Sequence, residues 1–171
     1  MKTNIAIYIY VGMFAVLLWF DRFTKNLVIT NMNIGESIPP DGAFFSIHYT
    51  INTGVSFSML EGQMEVLIII QAVLFAVVTA ACIITFIKLR HPMLQTSLVW
   101  IIAGGLGNLI DRILFGYVVD FISVGTFPIW NFADMCIVGG CILLVIYLLF
   151  LYPKRQKEAL EEETEAASGD E

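Results

Sequence analysis

Two aspartates of this 171-residue chain stand in apolar surroundings, where a carboxylate is unusual. Asp120 lies inside the stretch YVVDFI, and Asp134 lies near the start of the stretch NFADMCIVGG. If two such carboxylates approach closely, their mutual repulsion holds one proton between them near neutral pH. One carboxylate can then act as a base toward water and the other as an acid toward a carbonyl group. The pair therefore indicates acid–base hydrolysis.

Asp134 also has a purely structural interpretation. Asn131 is a favourable residue for a helix N-cap, and Asp134 stands three residues later, where it could complete a capping box. An acidic side chain in the first turn also suits the helix dipole. Considered alone, this segment favours capping, whereas Asp120, which we expect in a loop, has no comparable explanation.

The composition places these residues in a membrane protein. Hydrophobic residues make up 58% of the chain and charged residues only 14%, whereas a soluble domain is about half apolar and a quarter charged. Four segments are long and apolar enough to span a bilayer as helices, at about residues 4–20, 64–87, 94–114 and 132–152. We therefore expect an all-α polytopic membrane protein with four transmembrane helices.

The basic residues of the short connecting segments predict the orientation. They precede the first span, separate the second from the third and follow the fourth, and they are Lys2, Lys88, Arg90, His91, Lys154, Arg155 and Lys157. The positive-inside rule makes that side cytoplasmic. Both termini are then expected inside the cell, and segments 21–63 and 112–131 are expected outside.

The first outward segment predicts a small extracytoplasmic β element over about residues 31–60. Turn-forming residues occupy positions 34–42, and apolar and polar residues alternate over positions 45–52, as in a half-buried strand. Aromatic side chains here could form an amphipathic cradle for substrate or simply rest on lipid; they are Phe44, Phe45, Tyr49 and Phe57.

Further polar residues collect at the outer ends of the predicted spans, where they can meet at one depth. They are Asp21, Arg22, Lys25, Asn52, Asn108, Asp111, Arg112 and Asn131. A charged side chain inside the bilayer costs at least ~2.5–3.5 kcal/mol, so such residues usually face the protein interior. Asp111 and Arg112 could also be interfacial or paired for structural reasons. Gly104, Gly105 and Gly107 suit close helix contact.

Several other chemistries are disfavoured. The two histidines, His48 and His91, fall on opposite sides of the predicted membrane, which argues against an HExxH zinc site or a histidine-assisted triad. The three cysteines lie in apolar runs without metal-ligand spacing, so we expect no metal or other cofactor. Seven of the fifteen acidic residues follow residue 157. They indicate a cytoplasmic tail over 154–171 that is disordered or a frayed helix, and they give no sign of nucleic-acid binding.

Five segments of the chain resemble the motifs of one family in their order. They are Asp21-Arg22-Phe23-Thr24-Lys25, Asn52-Thr53-Gly54-Val55-Ser56-Phe57, the block GGLGNLIDR from Gly104 to Arg112, Val118-Val119-Asp120-Phe121, and Phe132-Ala133-Asp134 with Asn131 before it. Together with the four spans they resemble the lipoprotein signal peptidase (signal peptidase II) family over most of residues 1–153, a single membrane-embedded domain.

The resemblance implies an aspartic endopeptidase of the bacterial cytoplasmic (inner) membrane, with its site near the outer leaflet. It would cut prolipoproteins before a diacylglyceryl-modified cysteine, in contact with membrane lipid and as a monomer. Asp120 and Asp134 would be the catalytic pair. Polar residues around the pair and the substrate would be Asn52, Asn108, Arg112 and Asn131, and Asp21 and Lys25 would brace the site.

The chain departs from the family pattern at two places. Arg22 stands where the family often has Gln, and the loop 122–130 is short, which leaves open how well it covers substrate. The first turn of the fourth span favours an ionised Asp134 as base, and apolar neighbours favour a protonated Asp120 as acid. A nearby Arg112 would reverse that order. An ion-coupled carrier and a structural subunit of a membrane complex are the alternatives from other functional classes.

Overall fold

The computed structural model describes residues 2–39, 43–54, 64–89, 91–157 and 161. Within these residues there are four helices, α1 (Lys2–Asn31), α2 (Met64–Lys88), α3 (Pro92–Phe115) and α4 (Phe132–Ile146), and a π-helical turn over Tyr147–Leu151 extends α4. Three strands, β1 (Ser37–Ile38), β2 (Phe45–Asn52) and β3 (Val118–Val124), form an antiparallel sheet in the order β1-β2-β3. The predicted fold class is confirmed.

Helix α3 is the centre of the helical bundle. All four helices are long and apolar enough to cross a membrane, over Ile5–Asn31, Met64–Lys88, Pro92–Phe115 and Phe132–Lys157. Half of the apolar window of α3 is buried within the protein, against 6% of that of α1. The other three helices each pack against α3 and leave rows of apolar side chains for lipid.

Two glycines of α3 permit this close packing. A Cβ atom on Gly104 would overlap the backbone carbonyl oxygen of Ala133 on α4, and one on Gly107 would lie 2.7 Å from the carboxylate of Asp21 on α1. Gly105 has no such neighbour within 4 Å. Close helix contact therefore explains Gly104 and Gly107, but it does not explain Gly105.

Helix α1 is longer than the sequence predicted. It continues to Asn31 instead of ending near residue 20, so Asp21, Arg22 and Lys25 lie within the helix and not after it. The prediction was wrong because a charged residue was taken as the end of a span. The helix continues because these side chains find partners on α3, which offsets the penalty for charge in an apolar environment.

Asp120 is on a strand and not in a loop. The apolar run around it forms β3, which pairs with β2 and carries Asp120 opposite Thr50. A β-strand satisfies the backbone of such a run through its neighbour, whereas a buried loop would leave polar groups unpaired. The predicted β element thus takes its third strand from a different part of the chain.

The alternation predicted for β2 is interrupted by a bulge. Ile47 pairs with Ile122 and Thr50 pairs with Asp120, so two residues of β2 stand opposite one residue of β3. Ser46 and Tyr49 are consequently the buried residues of β2. The extra residue exchanges the two faces of the strand, so that Thr50 and Asn52, which follow the bulge, lie on the same face of the sheet as Asp120.

The helix that includes α4 continues through Lys157, so residues 154–157 of the predicted tail are helical, which is the second of its two predicted alternatives, and not disordered. Residues 158–160 and 162–171 of the predicted tail lie outside the described residues, as does Phe57 of the predicted cradle. Within that cradle, Phe44 and Phe45 are exposed, whereas Tyr49 is buried.

Candidate active site

Asp120 and Asp134 line one cavity of about 880 Å³ beside the sheet. This volume falls within the ~300–1,000 Å³ typical of ligand sites. Three helices and two strands contribute to its walls. The polar residues among them are Asn52, Gln71, Asn108, Arg112, Asp120 and Asp134, and the others are apolar or aromatic. Four of the supporting residues predicted from the sequence, together with Gln71, therefore surround the cavity or hold its carboxylates.

Asp120 projects from β3 and is buried, with 2% of its surface exposed. Its Oδ1 accepts a hydrogen bond from Asn131 Nδ2 at 2.6 Å, and its Oδ2 accepts one from Asn52 Nδ2 at 2.9 Å. The β-bulge is what brings Asn52 onto this face. Burial and the charge of Asp134 raise the pKa of Asp120, the hydrogen bonds from Asn52 and Asn131 and the charge of Lys25 lower it, and the resulting pKa is about 6.

Asp134 occupies the first turn of α4 and completes a capping box. Its backbone N–H donates to Asn131 Oδ1 at 3.0 Å, and its Oδ2 accepts from the backbone N–H of Asn131 at 3.1 Å. The other oxygen, Oδ1, accepts from Asn108 Nδ2 at 2.7 Å. The structural interpretation of Asp134 is thus confirmed, and the same capping bonds hold its carboxylate at the cavity wall.

Two asparagines connect the aspartates. Asn131 Nδ2 donates to Asp120 and also to Asn108 Oδ1, at 3.1 Å, while Asn131 itself caps the helix that carries Asp134. Asn108 Oδ1 accepts a second hydrogen bond from Lys25 Nζ at 2.9 Å. With its oxygen occupied by two donors, Asn108 must turn its NH₂ group toward Asp134, which fixes the orientation of the amide.

Behind this network lies a charged cluster formed by Asp21, Arg22, Lys25 and Asp111. Lys25 Nζ lies 3.2 Å from Asp21 Oδ1 and 2.8 Å from Asp111 Oδ2. Arg22 binds the remaining oxygens, with Nη2 2.7 Å from Asp21 Oδ2 and Nη1 2.5 Å from Asp111 Oδ1. Arg22 and Asp111 were not among the predicted site residues. The sequence feature that could have identified them is a charged residue in an otherwise apolar segment.

The cluster also holds the two chain segments that carry the aspartates. Asp111 Oδ2 accepts a hydrogen bond from the backbone N–H of Val119, the neighbour of Asp120, at 3.3 Å. Asp21 Oδ1 accepts one from the backbone N–H of Ala133, the neighbour of Asp134, at 3.1 Å. One buried ionic network therefore positions both β3 and the start of α4.

Arg112 faces the cavity without a direct carboxylate partner among the described residues. Its Nη2 donates to the carbonyl oxygen of Gly54 at 2.8 Å, and its Nη1 donates to Gln71 Oε1 at 3.2 Å. Its Nε is buried and has no hydrogen-bond partner in the described part of the chain. Arg112 shares the cavity with both aspartates but makes no hydrogen bond to either, so the order of charge between Asp120 and Asp134 stays a prediction.

The short segment after β3 closes one side of the cavity. Trp130 pairs back onto Ile122 through backbone hydrogen bonds of 2.7 and 3.1 Å, so the chain makes a tight hairpin. Phe127, Pro128, Ile129 and Trp130 all line the cavity. Despite its length, this segment supplies an apolar and aromatic wall next to Asp120.

A serine–histidine contact also exists, on the opposite pair of strands. Ser37 Oγ lies 2.5 Å from His48 Nδ1, where β1 pairs with β2. The sequence indicated only where the two histidines lie relative to the membrane, and it did not predict that His48 contacts a serine. Neither residue lines the cavity that contains the aspartates. Among the described residues, no group of three or more His, Cys, Asp or Glu side chains could hold a metal ion.

Comparison with known proteins links this chain to one family. A family model for signal peptidase (SPase) II matches residues 13–150. The lipoprotein signal peptidase of Moorella thermoacetica is 38% identical over 133 residues, covering 78% of this chain and 87% of that protein. The lipoprotein signal peptidase of Dehalococcoides mccartyi is 42% identical over 135 residues, covering 75% and 82%.

A solved structure shares the architecture as well. A bacterial membrane enzyme determined by the in meso method at 2.3 Å resolution superposes with a TM-score of 0.74 at 35% identity. The match covers 84% of this chain and 88% of that structure.

Proposed function

The chain belongs to the signal peptidase II family, and from that premise we propose that Asp120 and Asp134 are the acid–base pair of an aspartic endopeptidase. Family membership makes the protein a bacterial membrane protease of the lipoprotein signal peptidase type. The observation that carries the proposal is that both carboxylates line one cavity and are linked through the side chain of Asn131.

In the proposed mechanism, Asp134 is the base. It accepts two hydrogen bonds, from Asn131 N–H and Asn108 Nδ2, at the positive end of a helix dipole. Asp120 is the acid, because its burial raises its pKa to about 6, well above the ordinary value for Asp, and so favours its protonated form. A water between them would lose a proton to Asp134 and attack the scissile carbonyl carbon, while Asp120 gives its proton to the carbonyl oxygen. The tetrahedral diol would then collapse: one hydroxyl proton returns to Asp120 as the C–N bond breaks, and Asp134 gives its proton to the leaving amine nitrogen.

Three side chains are suited to hold Asp120 in place and to stabilise the charge that develops on the substrate. Arg112 lines the cavity, its Nε has no hydrogen-bond partner among the described residues, and its cation would stabilise negative charge in the transition state. Asn52 and Asn131 hold Asp120 by one oxygen each, which leaves its carboxyl group aimed into the cavity. We expect no metal or other cofactor, and we expect the protein to act as a monomer.

The proposed substrate is a prolipoprotein cut N-terminal to a diacylglyceryl-modified cysteine. The cavity is bordered by apolar side chains of two membrane-spanning helices, Leu67, Ile70 and Leu74 on α2 and Ile137 and Val138 on α4. Leu74 and Val138 are also exposed on the lipid-facing surface. An acyl chain could therefore stay in the bilayer while the peptide bond reaches the aspartates.

Substitution of Leu74 by Trp should lower the cleavage rate for lipid-modified precursor by roughly tenfold or more, because one misfitting apolar group typically changes a rate by ~10–200-fold. Val73→Trp is the matched control, because Val73 is 57% exposed and Leu74 58%, but only Leu74 lines the cavity. The measurement is kcat/KM with a diacylglyceryl peptide in lipid nanodiscs. Equal cleavage rates for the two variants would contradict the proposal that the acyl chain lies against Leu74.

The proposed orientation puts both termini in the cytoplasm and the site near the outer leaflet of the bacterial inner membrane. In a background without the three native cysteines, Ile34→Cys should react with an impermeant thiol reagent added outside whole cells. Lys157→Cys, which is also exposed, should react only after the cells are opened. The reverse pattern would put the aspartates at the cytoplasmic face.

A further inference from the structure

The charged side chains around the cavity have an uneven balance. Four carboxylates lie close to three cations in this part of the protein. Asp21 and Asp111 form ion pairs with Arg22 and Lys25. Asp120, Asp134 and Arg112 line the cavity. The interior is electrically neutral only when the carboxylates hold one proton among them. Asp21 and Asp111 each contact two cations, so the proton belongs to the pair formed by Asp120 and Asp134.

Arg22 contributes one of the three positive charges without contacting either aspartate of the pair. Its guanidinium group contacts Asp21 and Asp111 and donates to the carbonyl oxygen of Gly107 at 3.0 Å, but it touches neither Asp120 nor Asp134. Its side chain is 29% exposed, whereas that of Lys25 is 2% exposed. Arg22 therefore acts at the edge of the network, beyond Lys25 and Asn108, which lie between it and Asp134.

We propose that Arg22 sets the number of protons that the Asp120–Asp134 pair holds at neutral pH, by balancing the charges of Asp21 and Asp111. This inference rests on the proposed function, in which one ionised and one protonated aspartate are needed together. Arg22 is a positioning residue in this account, because it acts through the charged cluster and does not touch the reacting atoms.

The titratable groups near the pair, on the elements packed around it, are the charged residues already counted and two groups that are neutral at pH 7. On α1 they are Asp21, Arg22 and Lys25, and on α3 they are Asp111 and Arg112. Tyr49 on β2 and Cys136 on α4 also lie close enough to interact with these carboxylates. Both are neutral near pH 7, because the ordinary pKa values of Tyr and Cys are about 10 and 8.5. Helix α2 contributes Gln71 to the cavity, which does not ionise.

The sign of the expected effect follows from the balance. With Arg22 replaced by Gln, the interior carries one uncompensated negative charge when the pair holds one proton. That charge disfavours ionisation of the pair, so the second proton is retained to a higher pH. Activity requires an ionised base, and the acidic limb of the pH–rate profile should therefore move to higher pH. Replacing Asp111 by Asn removes a negative charge and should move the limb to lower pH.

The test compares pH–rate profiles of single-turnover cleavage for the full-length wild-type protein, Arg22→Gln, Arg22→Lys and Asp111→Asn, with a diacylglyceryl peptide in nanodiscs. We expect the acidic limb of Arg22→Gln to move up by about half a pH unit or more, as for a lost charge near a partly buried acid. Arg22→Lys keeps the charge and should retain the wild-type profile. Asp111→Asn should move the limb in the opposite direction.

A profile of Arg22→Gln that superposes on the wild-type profile, at any absolute rate, would overturn the inference, as would an equal displacement in Arg22→Lys. If Arg22→Gln does not fold, Asp111→Asn decides, because a limb that does not move to lower pH contradicts the charge balance. Failure of the proposed function is distinguishable from these results, since it would leave Asp120→Asn able to cleave the same peptide.

Discussion

Replacement of Asp120 or Asp134 by Asn should each abolish cleavage of a diacylglyceryl-modified precursor. Asn has nearly the same shape and can keep some of the hydrogen bonds to Asn52, Asn108 and Asn131, but it can neither take a proton from water nor give one to a carbonyl oxygen. Loss of one acid–base group typically lowers a rate by ~10²–10⁴-fold. The measurement is product formation by purified protein, with precursor accumulation in cells as a second readout.

Ser37→Ala supplies the matched control for this experiment. It removes the hydroxyl group that contacts His48 but leaves the cavity untouched, so cleavage should continue at the wild-type rate. A chelator should also have no effect. Loss of activity in Ser37→Ala with activity retained in Asp120→Asn would indicate serine chemistry. Inactivation by a chelator and recovery with zinc would also contradict the aspartic mechanism. An ion carrier or a structural subunit would show no precursor cleavage to begin with.

Gly104→Ala should both destabilise the protein and reduce its activity strongly. A methyl group at this position meets the backbone carbonyl oxygen of Ala133 and the side chain of Ile137, and a backbone group cannot turn aside as a side chain can. Overpacking of this kind costs about 1–3 kcal/mol. The start of α4 must move to relieve it, and Asp134 moves with it. We expect a lower unfolding temperature in detergent and a lower cleavage rate.

Gly105→Ala separates this effect from a general intolerance of substitution in α3. A Cβ atom on Gly105 would meet no atom of another described element within 4 Å, and Ala favours helix over Gly by ~1 kcal/mol. Gly105→Ala should therefore unfold at the wild-type temperature or above it and keep its cleavage rate. If the two variants behave alike in both measurements, close contact between α3 and α4 at Gly104 does not position Asp134.

Local patterns predicted the parts of the fold that depend on neighbouring residues. The long apolar runs marked the spans, alternation marked β2, and the spacing of Asn131 and Asp134 marked the capping box that the structure contains. Each of these features is determined within one segment of the chain. The convergence of Asp120 and Asp134 on one cavity also followed from chemistry, because few roles are available to a carboxylate in apolar surroundings.

Features that depend on distant partners could not be predicted in the same way. Helix α1 continues past Asp21 because Asp111, on another helix, binds Arg22 and Lys25. The bulge in β2 is defined only by its pairing with β3, and without it Asn52 would point away from Asp120. A charge or an alternation in one segment does not reveal its partner, so the sequence suggested the end of a helix and a regular strand instead.

Mass spectrometry of the products formed in ¹⁸O-labelled water tests the central claim most directly. If Asp134 activates water while Asp120 protonates the carbonyl oxygen, the first turnover with purified protein should place ¹⁸O in the new carboxylate of the released signal peptide. The other product should begin with the diacylglyceryl-modified cysteine. Release of ¹⁸O-labelled signal peptide by Asp120→Asn or Asp134→Asn at the wild-type rate would contradict the proposed water-activating pair, and a cut at another bond would contradict the proposed cleavage site.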